Sequence, residues 1–273
     1  MLFLLYVNDI PDWVASTAKL FADDTKIYRR INSMEDCRAL QRDLNRLTAW
    51  SNLWLLRFNA AKCIFLRLRE HFKYRYSLDG VYLEEESVQR DLGVMVSNNL
   101  KPAKHIETIT KKASQRIGMI WRCFTGLTRE KITTLYTTIV RPILEYASTT
   151  WSPWLKKDIE TLEKVQRRCL RMCTDADLQF DRLETRRQRT DLAETYKFMN
   201  SEYRTDSTRL FQRPARTLRG HDMKLHHTYS RTDVRKYFFA QRVVAPWNSL
   251  PDEVIHASST RDFRRRVRAL PQD

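Results

Sequence analysis

The stretch "AKLFADDTKIYRR", residues 18–30, sets two adjacent carboxylates, Asp23 and Asp24, between two short apolar runs. Neighbouring acids repel each other, and neither belongs in a strand that is being buried. Leu20-Phe21-Ala22 and Ile27-Tyr28 read as strands, which predicts a tight hairpin with the acids at its tip. Two carboxylates in that position suit a divalent cation. Mg²⁺ is hard, prefers oxygen, and takes one or two protein carboxylates beside substrate phosphates. The plainer alternative is a solvated turn, because Asp bonds its local backbone and an Asp-Asp pair arises easily by chance. The apolar flanks, in a basic protein, favour the functional reading.

Upstream, "LFLLYVNDIP" is a continuous apolar stretch that stops at a turn. It lacks a basic start and is too short to span a bilayer. Downstream, Ser33 with Asp36 resembles a helix cap, and Cys37, Leu40, Leu44, Leu47 and Trp54 form an apolar stripe to about Leu56. "KCIFLRLR" reads as a strand in which Ile64, Leu66 and Leu68 alternate with Phe65, Arg67 and Arg69. "YRYSLDGVYL" reads as a hairpin turning at Asp79-Gly80, and "RDLGVMVSNNL" supplies one more strand. After Pro102 the period becomes helical. One stripe runs Ile106, Ile109, Ala113, Ile117, Ile120 and Phe124. A second holds Ile132, Leu135, Tyr136 and Ile139, with a break or kink at Pro142. A third holds Ile159, Leu162, Val165, Cys169 and Met172. Beyond about residue 174 the chain is Arg-rich and only partly periodic, with "DLAETYKFMN" its clearest helix and "FRRRVRAL" a short basic amphipathic one. The boundary falls near residue 100, where mixed structure gives way to helices.

Hydrophobic residues make up 42% of the 273 and aromatics 11%, enough to build a core. With 5 Gly, and neither GxGxxG nor GxxxxGK[ST], a glycine-cradled nucleotide site is excluded. The net charge of +16 predicts attraction to a polyanion, nucleic acid first and an anionic membrane second. The excess is spread out: 24 basic against 16 acidic residues from 160 onward, and 25 against 17 before it. That spread suits an extended groove better than one basic arm. The 5 Cys are an odd number without framework spacing and read as reduced thiols of an intracellular protein, nuclear or cytoplasmic. Cys169 and Cys173 read as core packing, and His221, His226 and His227 lack the acids or Cys that a metal site needs. Aromatics interleaved with bases in "WRCF", "HFKYRY" and "RKYFFAQR" fit stacking on bases with phosphate neutralisation, or else core rings beside surface charges.

Several of these stretches, in order, resemble one family. "LFADDTKIY" matches the F/Y-x-D-D box of reverse transcriptases, and the chain as a whole resembles the polymerases of non-LTR (LINE-type) retrotransposons, most of all the jockey-like group. "LFLLYVNDIP" is similar to the end of that family's motif B region. "WSNLWLLRFNAAKCIFLRL" is similar to its N-x-x-K signature, here Asn59 and Lys62. "RDLGVMVSNNLKPAKHIETITKKA" resembles the primer-grip hairpin and the entry to the thumb. "YTTIVRPILEYASTTWSP" and "LEKVQRRCLRMC" resemble the helical thumb and connection, and "FFAQRVVAPWNSLP" resembles the C-terminal segment.

The resemblance implies an α+β fold. Residues 1–100 would form a partial right-hand palm of antiparallel strands and helices, 101–175 a helical thumb and connection, and 176–273 a basic C-terminal region. It also implies RNA-directed DNA polymerisation with Mg²⁺ or Mn²⁺, an RNA template, a DNA primer, deoxynucleotide triphosphates and no membrane. Asp23 would be the main metal ligand and Asp24 its helper, with Phe21 and Ala22 beneath the primer end. Lys62 would approach the triphosphate, and Leu92 and Gly93 would shape the primer grip. Such a site needs a third carboxylate on an upstream strand, fingers and a Gln-Gly turn. The residues before Asp23 offer only Asp9 and Asp12, which read as structural, so the chain alone is expected not to polymerise DNA. Two other readings stay open: a non-enzymatic nucleic-acid-binding remnant, and a helical protein-interaction module over residues 102–200.

Overall fold

The computed structural model describes residues 2–68, 72–171, 180–214 and 220–271. It divides into two compact units, Met1–Gln89 with Ser97–Asn99, and Arg90–Val96 with Leu100–Asp273.

The first unit opens with α1 (Leu2–Val7) and a 3-10 turn at Ile10–Trp13, then the hairpin strands β1 (Thr17–Phe21) and β2 (Asp24–Tyr28). Helix α2 (Met34–Trp54) follows, started by a capping box in which Ser33 Oγ accepts from the Asp36 N–H at 3.2 Å. Asp36 Oδ2 accepts in return from the Ser33 N–H at 3.0 Å, so two orphan donors of the first turn are satisfied. Four short strands come next: β3 (Ile64–Leu66), β4 (Ser77–Leu78), β5 (Val81–Tyr82) and β6 (Glu84–Glu86). A small core of Val7, Ile10, Leu47, Trp50 and Leu78 holds the unit together. Trp50, not the expected Trp54, is the buried tryptophan of α2. Trp54 lies one turn later, at the exposed end of the helix, where its ring meets the edge of Tyr6 at 5.4 Å.

The chain mixes helix and strand as expected, but its strands do not form one antiparallel sheet. Among the described residues they make four two-stranded ribbons. One of these, β3 with β6, is parallel, because the β4–β5 hairpin intervenes and brings the chain back in the same direction. The β4–β5 turn lies at Asp79-Gly80 with φ of 51° and 75°, as its sequence predicted. "RDLGVMVSNNL" is a hairpin rather than a single strand. Its strands β7 (Val88–Asp91) and β8 (Val94–Ser97) reverse at Leu92-Gly93, where φ is 44° and 88°. The strand expected through Arg69 ends at Leu66, and Arg69 lies outside the described residues.

The second unit is helical beyond β8. α3 (Ala103–Cys123) lays Ile106, Ile109, Ala113, Ile117 and Ile120 on one buried face, as the period predicted. α4 (Arg129–Leu135) runs into α5 (Arg141–Glu145) through a π turn at Tyr136–Val140. This wide turn is the break expected at Pro142, a residue with no N–H to continue the ladder. α6 (Ser148–Trp151) and α7 (Lys156–Leu170) complete a core in which Tyr136, Leu144, Leu162 and Val165 pack on α3. The Tyr136 hydroxyl donates to Gln166 Oε1 at 2.6 Å, which satisfies both groups out of water. Cys169 is buried there as expected, while Met172 and Cys173 lie outside the described residues.

α8 (Leu183–Met199) and five short helices follow: α9 (Asp233–Lys236), α10 (Phe239–Arg242), α11 (Val244–Asn248), α12 (Asp252–Ile255) and α13 (Thr260–Ala269). They close a separate core around Tyr196, Leu225, Phe239, Trp247, Val254 and Phe263. The Arg-rich region with weak periodicity is therefore a packed body.

Candidate functional site

The β1–β2 ladder runs from Thr17 opposite Tyr28 to Phe21 opposite Asp24, leaving Ala22-Asp23 as the two-residue turn. The aspartate pair therefore stands at the tip of a hairpin, exposed. Burial alternates strictly along both strands. Ala18, Leu20, Thr25 and Ile27 face inward, and Leu20 and Ile27 pack on the core of the first unit. The outer face carries Phe21 opposite Asp24, Lys19 opposite Lys26, and Thr17 opposite Tyr28. Two lysines directly opposite each other cost stability in a free sheet.

Ala22 takes φ 54°, the left-handed region that residues with a Cβ avoid. A two-residue hairpin turn asks for positive φ at its first central residue, and Ala22 supplies it without the help of a glycine. Among the described residues, neither Asp23 nor Asp24 donates to or accepts from any side chain, and no third carboxylate, His or Cys joins them. The pair presents carboxylate oxygens of the hard kind that Mg²⁺ prefers.

The hairpin is rooted by a residue that its own motif does not reveal. Asp43 of α2 is 1% exposed and accepts from the Ala15 N–H at 3.0 Å and the Ser16 N–H at 2.8 Å, just ahead of β1. Arg46 Nη1 lies 3.0 Å from the same carboxylate. Burial alone would raise this acid's pKa. The bonds from Ser16 and Ala15, with the Arg46 charge, overcome that and hold it below the usual carboxylate range. The signal for it in the sequence is an acid inside the apolar stripe of Leu40, Leu44 and Leu47. Asp9, read as structural, accepts from the Trp50 indole N–H at 2.9 Å.

Lys62 is exposed at the end of a 3-10 turn over Ala60–Lys62 that leads to β3. Among the described residues no hydrogen bond or ion pair joins it to Asp23 or Asp24.

Leu92 and Gly93 belong to the second unit. The group that approaches their turn is Tyr146, at the end of α5. Its hydroxyl donates to the Leu92 carbonyl at 3.1 Å, and a Cβ at Gly93 would meet its ring at 3.1 Å. Behind the turn, His105 of α3 accepts from the Met95 N–H at 3.1 Å through Nδ1, and its ring lies 4.8 Å from Trp151. Burial pushes His105 down from 6.5 to about 4, so this acceptor is neutral at physiological pH. His105 and Tyr146 lie within stretches quoted for the family resemblance, but neither is singled out there as a functional residue.

Among the described residues, the group of three side chains able to share a metal ion is Asp222, Asp252 and His256, all exposed. The three histidines singled out in the sequence take no part in it. His221 is buried with Nε2 3.1 Å from the Trp247 carbonyl.

The likeness of the chain to non-LTR retrotransposon reverse transcriptases is borne out by a curated relative. That relative is described as a probable RNA-directed DNA polymerase from transposon BS of Drosophila melanogaster. It is 28% identical to this chain over 167 residues, a match that covers 57% of the chain and 18% of the relative. The chain thus matches less than a fifth of that protein's length. No family model matches the chain, and no solved structure matches it significantly.

Proposed function

We propose that this chain is a piece of the RNA-directed DNA polymerase of a LINE-type retrotransposon, and that β1–β2 is the hairpin presenting metal-binding carboxylates to a primer end. The observation that carries the reading is the pair of exposed aspartates, without side-chain partners among the described residues, on the Ala22-Asp23 turn rooted on α2 through Asp43. Asp23 and Asp24 would hold Mg²⁺ or Mn²⁺, which when bound supplies Lewis acidity at an attacking 3′-hydroxyl and a leaving pyrophosphate. Phe21 offers a ring for the terminal base, and Lys19 and Lys26 offer charge to the strand behind it. Lys62 is the amine for a triphosphate. The Leu92-Gly93 turn, braced by Tyr146, is a primer grip, and residues 101–175 are a thumb.

Two carboxylates hold Mg²⁺ weakly, because the ion demands near-ideal geometry and the catalytic arrangement uses a third. The chain alone therefore does not extend a primer. It requires an acid-bearing strand supplied beside the hairpin.

Electron paramagnetic resonance of added Mn²⁺ tests the first statement. Weak binding is expected, and its loss in Asp23→Asn/Asp24→Asn. Binding undiminished in that variant sinks the assignment. A primed RNA template with deoxynucleotides and Mg²⁺ tests the second, since extension by the purified chain would show the site to be complete.

A further inference from the structure

The second unit contains a cleft whose chemistry the hairpin does not explain. It has a volume of about 210 Å³, lies between α8 and α13, and is lined by Arg186, Arg189, Thr190, Arg264, Val267 and Arg268. Four of its six walls are guanidinium side chains, and none is an acid. Three of the arginines are steadied by carboxylates that do not line the cleft. Arg186 forms a two-pronged pair with Glu145, its Nη2 lying 3.0 Å from Oε2. Arg189 lies 2.6 Å from Asp181, and Arg264 lies 4.0 Å from Glu194. Arg268 has no hydrogen bond or ion pair among the described residues. Arg187, next on α8, is 2% exposed, and among the described residues both of its terminal nitrogens lack a hydrogen-bond partner, while the charges of Glu163, Glu184, Glu145 and Asp191 act on it.

Four guanidinium groups face one space with three acids behind them, which leaves a positive excess that a bound anion would relieve. Their planar forks match phosphate oxygens. Elsewhere on α13, Arg261 and Arg265 are also exposed, Arg265 lying 2.6 Å from Asp262.

We infer that the α8–α13 cleft grips the phosphodiester backbone of a nucleic acid through Arg186, Arg189, Arg264 and Arg268. The choice of nucleic acid as the polyanion rests on the polymerase reading, whereas the cleft and its charge do not. A membrane surface fits less well. A basic amphipathic helix binds lipid by sinking its apolar face, and α13 has already committed Phe263 and Val267 to the core around Trp247.

Fluorescence anisotropy of a short labelled single-stranded RNA, titrated with the full chain across a series of salt concentrations, tests the inference. Arg268→Gln breaks no ion pair among the described residues, so it is expected to keep the fold while lowering the slope of log affinity against log salt by about 0.7, one phosphate contact. Arg264→Glu/Arg268→Glu should weaken binding by about tenfold or more, and Arg268→Lys should keep most of the slope. Circular dichroism melting confirms that each variant is folded. Affinity and slope unchanged in folded variants overturn the inference and leave the hairpin assignment standing. Asp23→Asn/Asp24→Asn is the converse control, expected to lose Mn²⁺ and keep RNA. Inorganic phosphate that displaces the RNA at equal concentration, or Arg268-dependent capture by phosphatidylserine vesicles without RNA binding, would also overturn it.

Discussion

Asp43 and His105 are polar groups placed where hydrophobic residues would be expected, and each works by accepting hydrogen bonds from the backbone of a hairpin. Asp43 closes the root of β1 onto α2 with two amide bonds. Asp43→Ala leaves the buried Ser16 N–H and the part-buried Ala15 N–H without their acceptor, at about 1 to 3 kcal/mol by urea denaturation. Asp43→Asn keeps the shape and one acceptor oxygen and should cost less. Equal stability of Asp43→Ala and wild type would mean that water replaces the carboxylate.

His105 makes a prediction in pH. Its folded pKa is about 4 against an ordinary 6.5, so between these values the unfolded chain binds the proton and the folded chain does not. Stability is full above about 6.5 and falls as pH drops toward 4, by about 3 kcal/mol over the whole window. His105→Gln should flatten that part of the pH–stability curve. Neither residue is conspicuous in the sequence, because a lone Asp or His on an apolar face is silent about which distant amide it meets.

Hairpins and their turns were the most legible elements. Asp79-Gly80 is a turn signal in two letters, and the Asp pair between apolar runs marked the tip of β1–β2. By pattern alone "RDLGVMVSNNL" reads as one strand, because its Leu-Gly turn lacks the Asn or Asp that announces positive φ, whereas the family resemblance implies the hairpin that is found. At Gly93 an added Cβ meets both an unfavourable φ of 88° and the Tyr146 ring at 3.1 Å. Gly93→Ala should therefore destabilise the second unit by about 1 to 2 kcal/mol. Tyr146→Phe, which removes only the bond to the Leu92 carbonyl, should cost about 1 kcal/mol or less at this exposed site. A Gly93→Ala variant as stable as wild type would mean that the turn has another conformation. The long helices α2, α3 and α7 were readable from their stripes. α10 and α11 were not, since four or five residues are too few for a 3.6-residue period to repeat.

For the whole molecule, charge is the property that composition determines and folding distributes. Net +16 is carried by basic residues in both halves of the sequence. Affinity for single-stranded RNA should accordingly fall by about tenfold or more between low and physiological salt, read by anisotropy. Binding insensitive to salt would point to a protein partner for the helical region instead. Among the described residues no helix is long and apolar enough to cross a membrane.

The order of motifs, the mixed composition, the aspartate hairpin and the helical character after Pro102 could all be read without coordinates, because turn chemistry and periodicity act over a few neighbouring residues. The gathering of Arg186 and Arg189 with Arg264 and Arg268 could not, nor the anchoring of β1 by Asp43 or the packing of an Arg-rich tail around Trp247. These depend on residues far apart in the chain coming together, and no local pattern encodes which partner a buried polar group or a short helix will find.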